Sequence, residues 1–392
     1  MAENETRMTG AVEPQVRAQY ASLGAGDPAP WFHQKTTINP NYAFHSVGGR
    51  YILLGFFLTS SDPHGRAAVD AVMTYRNLFD DDTACFFGVT VDPADEARLS
   101  DVNPGIRYFW DTDTKVSRLY GALPRDPKSP QVTRRFWMVI DPTLRVMKVF
   151  PLLNGETINM APFDYIRSLP PPDRFAGVEL QAPVLYLPNV FEPDLCRELI
   201  SLYDTNGGEF SGFMREQNGV TVGIRDPKYK SRSDYTLVEQ DMISRTQAAI
   251  VRRIVPEIRK VHQFNVTRME RYIVGCYTAE EGGHFRAHRD NTTAGTAHRR
   301  FAVSINLNDD FDGGTLSFPE YGQRQYKPPA GSAVVFSCSL MHAVSKVTRG
   351  QRYAFLPFLY DDAAARVREA NQHKLSRDEP TDMRATTTPE AG

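Results

Sequence analysis

Cysteine is scarce in this 392-residue sequence, and the four cysteines lie far apart. They form no Cys-x-x-Cys pair, so nothing in their spacing indicates a disulfide framework. We interpret them as reduced thiols of a cytosolic protein. They are Cys85, Cys196, Cys276 and Cys338.

Long apolar runs and an excess of one charge are also missing. No run approaches the roughly 20 residues that a bilayer-spanning helix needs, and the stretch MAENETRMTGAVEPQ has no apolar core of the signal-peptide type. The 45 Lys and Arg face 47 Asp and Glu, a net charge of −2. Local patches apart, this balance does not favour a nucleic-acid or membrane partner. We expect a soluble, cytoplasmic protein.

Length and composition indicate a globular protein with two domains. A chain of 392 residues is too long for one ordinary core, and 41% apolar with 23% charged residues are globular values. Three consecutive prolines in LPPPDRFAG favour a stiff spacer, where we place the domain boundary. The predicted parts are an N-terminal arm (1–24), a first domain (25–168), a proline-rich linker (169–180), a second domain (181–362) and a charged tail (363–392).

The first domain alternates buried strands and helices. YILLGFFL (51–58) and CFFGVTVD (85–92) are continuous apolar runs, typical of central strands. Helical spacing occurs at 65–79 and 113–123, and 135–151 is predicted to form a hairpin. This order predicts an α/β fold.

The second domain changes its periodicity along the chain. It begins with a strand and a helix over 182–204, followed by a helix over 237–262 that Pro256 interrupts. From Met269 the period becomes two, and short strands alternate with turns that contain glycine or proline. This pattern is typical of an antiparallel sandwich or barrel.

The stretch HFRAHRDN (284–291) concentrates metal-binding chemistry. If it is extended, alternation puts His284, Arg286, His288 and Asp290 on one face, with His288 and Asp290 aimed at one point. A third ligand would complete two-histidine, one-carboxylate coordination and leave three positions open, which suits non-haem Fe(II). Taken alone, His-x-Asp equally fits a surface histidine beside a turn aspartate.

A helical zinc site is the other metal hypothesis for this stretch. His284 and His288 have the required spacing. However, Phe285 stands where a zinc protease needs glutamate, and Gly282-Gly283 opposes a helix. The extended iron motif is therefore the preferred interpretation.

The downstream stretch SLMHAVSKVTRGQRYAF (339–355) supplies further candidates. His342 follows a turn, and Arg352 lies on the next predicted strand. Fe(II) chemistry that uses 2-oxoglutarate as co-substrate would need both residues. The co-substrate would chelate iron at one end, and its 5-carboxylate at the other end needs a buried cation, for which the planar guanidinium of an arginine is suited. With a hairpin turn at 348–350, Arg352 is predicted to pair near Lys346, roughly 13 Å along the sheet from His342.

The strand RFAVSINL predicts two different faces. One face is apolar, and the other carries Ala302, Ser304 and Asn306. A small, polar face is what a barrel interior needs in order to hold a dianionic ligand.

Residues 272–360 resemble the catalytic core of the prolyl 4-hydroxylase-like branch of the Fe(II)/2-oxoglutarate oxygenases. The resemblance rests on GGHFRAHRDN, NDDFDGG, PPAGS, HAVSKV and RGQRYAF. It implies a double-stranded β-helix (jelly-roll) with supporting helices, Fe(II) and 2-oxoglutarate as cofactors, O₂ as co-substrate and ascorbate as an accessory reductant. It also implies that His288, Asp290 and His342 ligate iron and that Arg352 binds 2-oxoglutarate.

Other residues receive looser roles. Tyr277 matches a pocket tyrosine of several members, and Asn306 stands where some members place a tyrosine, so both are candidate contacts of 2-oxoglutarate. Arg286 and Arg289 flank the expected iron and are candidate contacts of an anionic substrate, with solvation at the surface as the alternative. Related halogenases carry a small residue in the place of Asp290, so its carboxylate implies hydroxylation or another oxidation driven by the same iron-oxo species.

The expected reaction is hydroxylation of an unactivated C–H bond, with 2-oxoglutarate converted to succinate and CO₂. The substrate stays open among a peptidyl proline or other residue, a free amino acid and a small metabolite. We expect no catalytic nucleophile, and nucleic-acid demethylation is disfavoured because that branch spaces its arginines differently after the distal histidine. The alternative is an inactive scaffold or binding protein built from two enzyme-like folds.

About residues 20–165 resemble the peroxiredoxin group of the thioredoxin fold, through GDPAPWF, YILLGFFLTSSDPHG, VTVDP and RRFWMVIDP. The loop TSSDPHGR (59–66), where those enzymes carry the thiolate that attacks peroxide, has no cysteine. Arg135 matches the activating arginine and has nothing to activate, and we interpret Cys85 as a buried structural thiol. We expect a thioredoxin-like module without peroxidase activity that docks a partner, mediates homodimerisation or covers the oxygenase pocket.

Overall fold

The computed structural model describes residues 19–217, 219–376 and 386–387. They divide into two compact units, one ending at Leu169 and one beginning at Pro170. Most of the predicted N-terminal arm, and most of the predicted tail beyond Ser376, lie outside the described residues. None of the helices that the structure describes is long and apolar enough to cross a bilayer.

The first unit is an α/β unit built on one five-stranded sheet. Its strands are β1 (His33–Gln34), β2 (Tyr42–Ala43), β3 (Tyr51–Leu58), β4 (Ala84–Thr90), β5 (Ile106–Trp110), β6 (Phe136–Ile140), β7 (Val146–Pro151), β8 (Leu153–Asn154) and β9 (Thr157–Ile158). Its helices are α1 (Pro63–Thr74), α2 (Asp95–Arg98), α3 (Lys115–Leu119) and α4 (Ala161–Ser168).

The order of the sheet is β5-β4-β3-β6-β7, with β3, β4 and β5 parallel and β6 and β7 antiparallel to their neighbours. Strands β3 and β4 are buried along their whole length, as their unbroken apolar runs predict. The predicted hairpin is β6 and β7. The sequence pattern did not predict β5, because Arg107 interrupts its apolar run; that guanidinium donates to both carboxylate oxygens of Asp81 at 2.7 and 2.5 Å.

Helix α1 begins at a carboxylate that also pairs with a partly buried cation. The Asp62 side chain accepts from the Gly65 N–H at 2.9 Å, and both of its oxygens accept from the Arg135 guanidinium. The bonds from Arg135 are the main reason that the pKa of Asp62 falls to about 2. Arg135, predicted to have nothing to activate, is thus bound to a carboxylate of the cysteine-free loop.

We expect Asp62→Ala to lower the free energy of unfolding at neutral pH by about 1–2 kcal/mol, because a helix cap and a partly exposed ion pair are lost. The folded pKa of about 2 lies below the ordinary value of 3.8. The stabilisation is therefore complete above the ordinary pKa and is lost as pH falls through the folded pKa. Urea unfolding of both proteins should show their difference shrinking over that interval. A difference independent of pH, or an equal loss in Asp70→Ala on the exposed side of α1, would contradict this.

The second unit is mainly β. Its strands are β10 (Leu185–Leu187), β11 (Glu209–Phe210), β12 (Phe213–Gln217), β13 (Val220–Ile224), β14 (Lys230–Ser231), β15 (Ser233–Thr236), β16 (Arg268–Glu270), β17 (Ile273–Thr278), β18 (His284–His288), β19 (Phe301–Asn306), β20 (Asp312–Gly313), β21 (Leu316–Ser317), β22 (Gln325–Tyr326), β23 (Ala333–Ser337), β24 (His342–Val344), β25 (Val347–Arg349), β26 (Gln351–Phe355), β27 (Phe358–Tyr360) and β28 (Thr386–Thr387). Its helices are α5 (Pro193–Asn206), α6 (Gln240–Arg253), α7 (Val255–His262) and α8 (Asp362–Asn371).

Two sheets of the second unit contribute to one apolar cluster. The large sheet contains the neighbours β17, β26 and β19, with β23 paired to β19, and the small sheet has the order β14-β18-β24-β21-β22. Tyr277, Val334 and Phe336 of the large sheet share the cluster with Leu316 and Val344 of the small sheet. The two sheets therefore pack against each other.

The opposite face of the large sheet is covered by helices. Leu199 of α5 and Ile250 of α6 belong to one buried cluster with Val303 and Ile305 of β19. The alternate residues of β19 include the buried Ser304 and Asn306, which bond to Arg352. The two-faced interpretation of this strand is confirmed.

The predicted hairpin at 348–350 is wrong. Strand β25 pairs with β20, whereas β26 enters the large sheet, where it pairs with β17 and β19. The chain changes sheets at Gly350, whose φ is +72°. Arg352 therefore lies opposite Tyr277 and not near Lys346. In the large sheet β26 forms hydrogen bonds with two strands, β17 and β19, whereas a hairpin would give it only one partner strand.

Candidate active site

Two histidines of the small sheet and the aspartate just after β18 converge. In the register of β18 and β24, His288 lies opposite His342. The carboxylate of Asp290 is 3.5 Å from Nε2 of His288 and 3.4 Å from Nε2 of His342. One ligand atom from each residue lies within 4.8 Å of the others. Among the described residues, these three side chains form a group that could hold a metal ion.

The strand that carries this motif is not regular. The register of β18 against β24 shifts between Phe285 and His288, so the predicted alternation through 284–290 is interrupted. A bulge re-aims the side chains beyond it. As a result the ring of Phe285 stacks on that of His288, with centroids 3.5 Å apart, while Arg286 is exposed.

The hydrogen bonds of the two histidines favour metal binding through Nε2. Nδ1 of His288 lies 2.8 Å from the carbonyl oxygen of Arg286, and Nδ1 of His342 lies 3.0 Å from that of Leu340. A carbonyl can only accept, so each Nδ1 carries the proton and each Nε2 presents a lone pair. Such backbone contacts fix the orientation of ligating histidines.

Protonation states also suit a cation. Burial would raise the pKa of Asp290, but His342 and His288 hold it well below its ordinary value. Burial, with His288 as the second cause, lowers the pKa of His342 to about 4. The site therefore presents a carboxylate and a neutral imidazole near pH 7, which are the forms that bind metal.

Arg352 is a buried cation without a carboxylate partner among the described residues. Its Nε donates to Oδ1 of Asn306 at 3.1 Å, and its Nη2 donates to Oγ of Ser304 at 2.9 Å. Its Nη1 is buried and finds no hydrogen-bond acceptor in the described part of the chain. A desolvated charge is costly unless it is paired. The open Nη1 thus fits the carboxylate of an anionic ligand.

Tyr277 and Asn306 hold this arginine in place. The Arg352 guanidinium carbon is 5.3 Å from the centroid of the Tyr277 ring. The Tyr277 hydroxyl accepts from Arg232 at 3.2 Å, and Arg232 is itself bound to Asp234. The Asn306 amide donates to the carbonyl of Pro328 at 2.8 Å, which leaves its oxygen for Arg352.

The other predicted site residues have partners of their own or reach solvent. His284 uses both ring nitrogens, near the carbonyls of Gly282 and Lys228. Arg289 forms a buried ion pair with Glu320, with N–O distances of 2.7 and 3.0 Å. Arg289 therefore has a protein carboxylate as its partner, whereas Arg286 reaches solvent.

Lys230 was missed by sequence reasoning. It lies opposite Phe285 in the register of β14 and β18, and its Nζ donates to Oγ of Ser211 at 2.7 Å and to the carbonyl of Gly212 at 2.6 Å. Burial holds its pKa well below the ordinary value. A lone lysine in a polar stretch carries no sequence signal of burial, since lysine is almost always exposed.

Comparison with known proteins agrees with this geometry. Residues 269–360 match the family model of the 2OG-Fe(II) oxygenase superfamily. The chain is 36% identical over 112 residues to the PKHD-type hydroxylase PiuC of Pseudomonas aeruginosa, a match covering 26% of this chain and 47% of PiuC. The chain thus spans about half the length of the curated relatives it matches.

Two solved structures are each similar to part of the chain. A prolyl hydroxylase from Trichoplax adhaerens, in complex with a peptide of the hypoxia inducible factor oxygen degradation domain, has 16% identity and a TM-score of 0.39, covering 48% of this chain and 86% of its own. Mycobacterium tuberculosis AhpC has 17% identity and a TM-score of 0.30, covering 37% and 94%.

The match of residues 269–360 confirms the oxygenase resemblance inferred from the motifs around Asp290 and His342. That family implies Fe(II) and 2-oxoglutarate, and the converging His-Asp-His group is compatible with iron. Over residues 269–360 the chain is therefore similar to the 2OG-Fe(II) oxygenase superfamily.

Proposed function

We propose that this protein is an Fe(II)- and 2-oxoglutarate-dependent dioxygenase that hydroxylates an unactivated C–H bond. His288, Asp290 and His342 would hold Fe(II), and Arg352 would bind the 5-carboxylate of 2-oxoglutarate. We further propose that the two sheets of the second unit form a double-stranded β-helix around this pocket.

The observation that carries the proposal is that the metal-binding group and Arg352, which has no carboxylate partner among the described residues, border one apolar cluster. The ring of His342 packs on Phe336 at 4.6 Å, and the guanidinium of Arg352 packs on Tyr277. Phe336 and Tyr277 belong to the same cluster. A short dicarboxylate that chelates metal at one end needs a cation at the other, and both are present here.

Bound Fe(II) with 2-oxoglutarate and O₂ would supply the oxidising power, giving a hydroxylated substrate, succinate and CO₂. The protein supplies orientation and desolvation. Ser304 and Asn306 fix the arginine fork, and the backbone carbonyls of Arg286 and Leu340 fix the two imidazoles.

We propose a peptidyl residue, a free amino acid or a small metabolite as the substrate class. The domain is similar to a PKHD-type hydroxylase, which supports hydroxylation as the outcome. The carboxylate of Asp290, ionised in its surroundings, supports the same outcome.

The first unit is proposed to be a docking or dimerisation module without thiol peroxidase activity. Of the four cysteines, Cys85 alone falls within the sequence of the first unit. Burial raises the pKa of its thiol to about 12. The thiol is therefore protonated at neutral pH, whereas peroxide reduction needs the thiolate. The Arg135 guanidinium, which would activate a thiolate in a peroxiredoxin, forms an ion pair with the carboxylate of Asp62.

Anaerobic addition of Fe(II) and 2-oxoglutarate is expected to produce a visible metal-to-ligand charge-transfer band. Admission of O₂ should then yield succinate even without added substrate, because slow uncoupled turnover consumes the co-substrate. The measurements are absorption spectroscopy and quantification of succinate. A folded protein that shows neither would contradict the proposal and favour an inactive scaffold.

A further inference from the structure

We propose that Glu320 is a positioning residue of the candidate metal site, which it assembles by bridging the two chain segments that carry the ligands. The inference rests on the proposed function, because it concerns the same His-Asp-His group. Glu320 itself is not among the ligating side chains.

The bridge has two ends. On one side, the Glu320 carboxylate accepts from Arg289, with Nη2 to Oε1 at 2.7 Å and Nη1 to Oε2 at 3.0 Å. On the other side, Oε2 accepts from the backbone N–H of Met341 at 3.2 Å. Arg289 stands between His288 and Asp290 in the chain, and Met341 immediately precedes His342. One carboxylate thus contacts the neighbours of all three ligands.

Further bonds join the same two segments. The N–H of Asp290 donates to the carbonyl of Cys338 at 2.9 Å. Asn291 donates to Oγ of Ser339 at 2.8 Å, and Arg289 also donates to the Ser339 carbonyl. These bonds join the segments directly, whereas Glu320 comes from a third segment, the 3₁₀ turn Pro319–Tyr321 that follows β21.

Burial makes this bridge rigid. The side chain of Arg289 is 3% exposed and that of Glu320 is 7% exposed. A bidentate arginine–carboxylate pair in such surroundings has a defined geometry. Buried ion pairs are often no better for stability than apolar residues of similar size. A role in fixing the register between the segments at Asp290 and His342 explains why charge is placed there.

The decisive test is metal binding by Glu320→Gln, which keeps the size of the side chain and removes its charge. We expect the Kd for Co(II) to rise about 10- to 100-fold, as for losses of groups that orient metal ligands. We also expect the ligand-field absorption of bound Co(II) to change, because the ligands are displaced. Glu320→Asp keeps the charge on a shorter stem and should give an intermediate Kd; it also serves if Glu320→Gln does not fold.

The matched control is Glu270→Gln. Glu270 is equally buried and is bound by His298 and Arg299, but it bonds to no residue between Cys338 and His342. Urea unfolding should show both variants destabilised, while only the Glu320 variants change Co(II) affinity and spectrum. A Kd and spectrum unchanged in the Glu320 variants, or changed equally in Glu270→Gln, would overturn the inference alone. Failure of the unaltered protein to bind Co(II) would overturn the proposed function together with it.

Discussion

Asp290→Ala is expected to abolish the conversion of 2-oxoglutarate to succinate, with a loss of at least about 1000-fold, since even groups that only orient metal ligands account for 10- to 100-fold. The substitution removes the carboxylate of the group and leaves the two imidazoles of His288 and His342. Co(II) affinity should fall with activity. Succinate formation and Co(II) titration on the same preparation would measure both.

The control for this variant is Asp309→Ala, an exposed aspartate of the same unit that lies just after β19. It should match the unaltered protein in both assays. Retention of metal affinity in Asp290→Ala would show that the carboxylate is not a ligand. Loss of succinate in both variants would point to a general effect on the fold.

Arg352→Met is expected to raise the concentration of 2-oxoglutarate needed for half-maximal turnover about 100-fold, within the range of 2–5 kcal/mol for truncation of a buried charge pair. The same variant should unfold at an equal or higher urea concentration, because it removes a buried charge that has no carboxylate partner in the described part of the chain. Opposite effects on affinity and stability are the signature of a ligand-binding cation. Arg352→Lys keeps the charge but not the fork, and should lie between the two.

Arg349→Met is the matched control for Arg352. Arg349 lies on β25, is exposed and pairs with Asp312. It should leave the dependence on 2-oxoglutarate unchanged, because surface ion pairs contribute little. If Arg352→Met destabilised the protein and left co-substrate affinity unaltered, the arginine would be structural.

The chemistry-bearing residues of the site could be predicted because their side chains are rare in such patterns. His288, Asp290, His342 and Arg352 each belong to a short motif with a chemical reason for its spacing. The two faces of β19 were predicted for a similar reason, since the alternation of side chains is a local property of an extended chain.

What the sequence could not show was the pairing between distant strands. The position of Arg352 opposite Tyr277 depends on β26 entering the large sheet, and a nearby hairpin partner looked equally good from local pattern. The bulge between Phe285 and His288 is likewise set by the partner strand. Glu320 escaped prediction because its importance comes from Arg289 and Met341, which meet it only after folding.

In the first unit, too, local features could be predicted from the sequence and long-range contacts could not. The absence of cysteine from residues 59–66 was visible at once, but the role of Asp62 was not. Its carboxylate became meaningful only when the long-range contact with Arg135 was known. Ion pairs between distant segments follow neither the helical nor the strand periodicity, so a single sequence does not indicate them.

The chain from β24 to β26 carries His342 at one end and Arg352 at the other, and it passes from one sheet to the other on the way. The middle of this stretch packs closely against the backbone at Gly313, where an added Cβ would come within 2.0 Å of the Lys346 carbonyl oxygen. If Arg352 binds the distal carboxylate of 2-oxoglutarate, as proposed, this stretch would set the distance between the two ends of the pocket. An insertion between His342 and Arg352 would then be expected to change the length of the keto acid that fits.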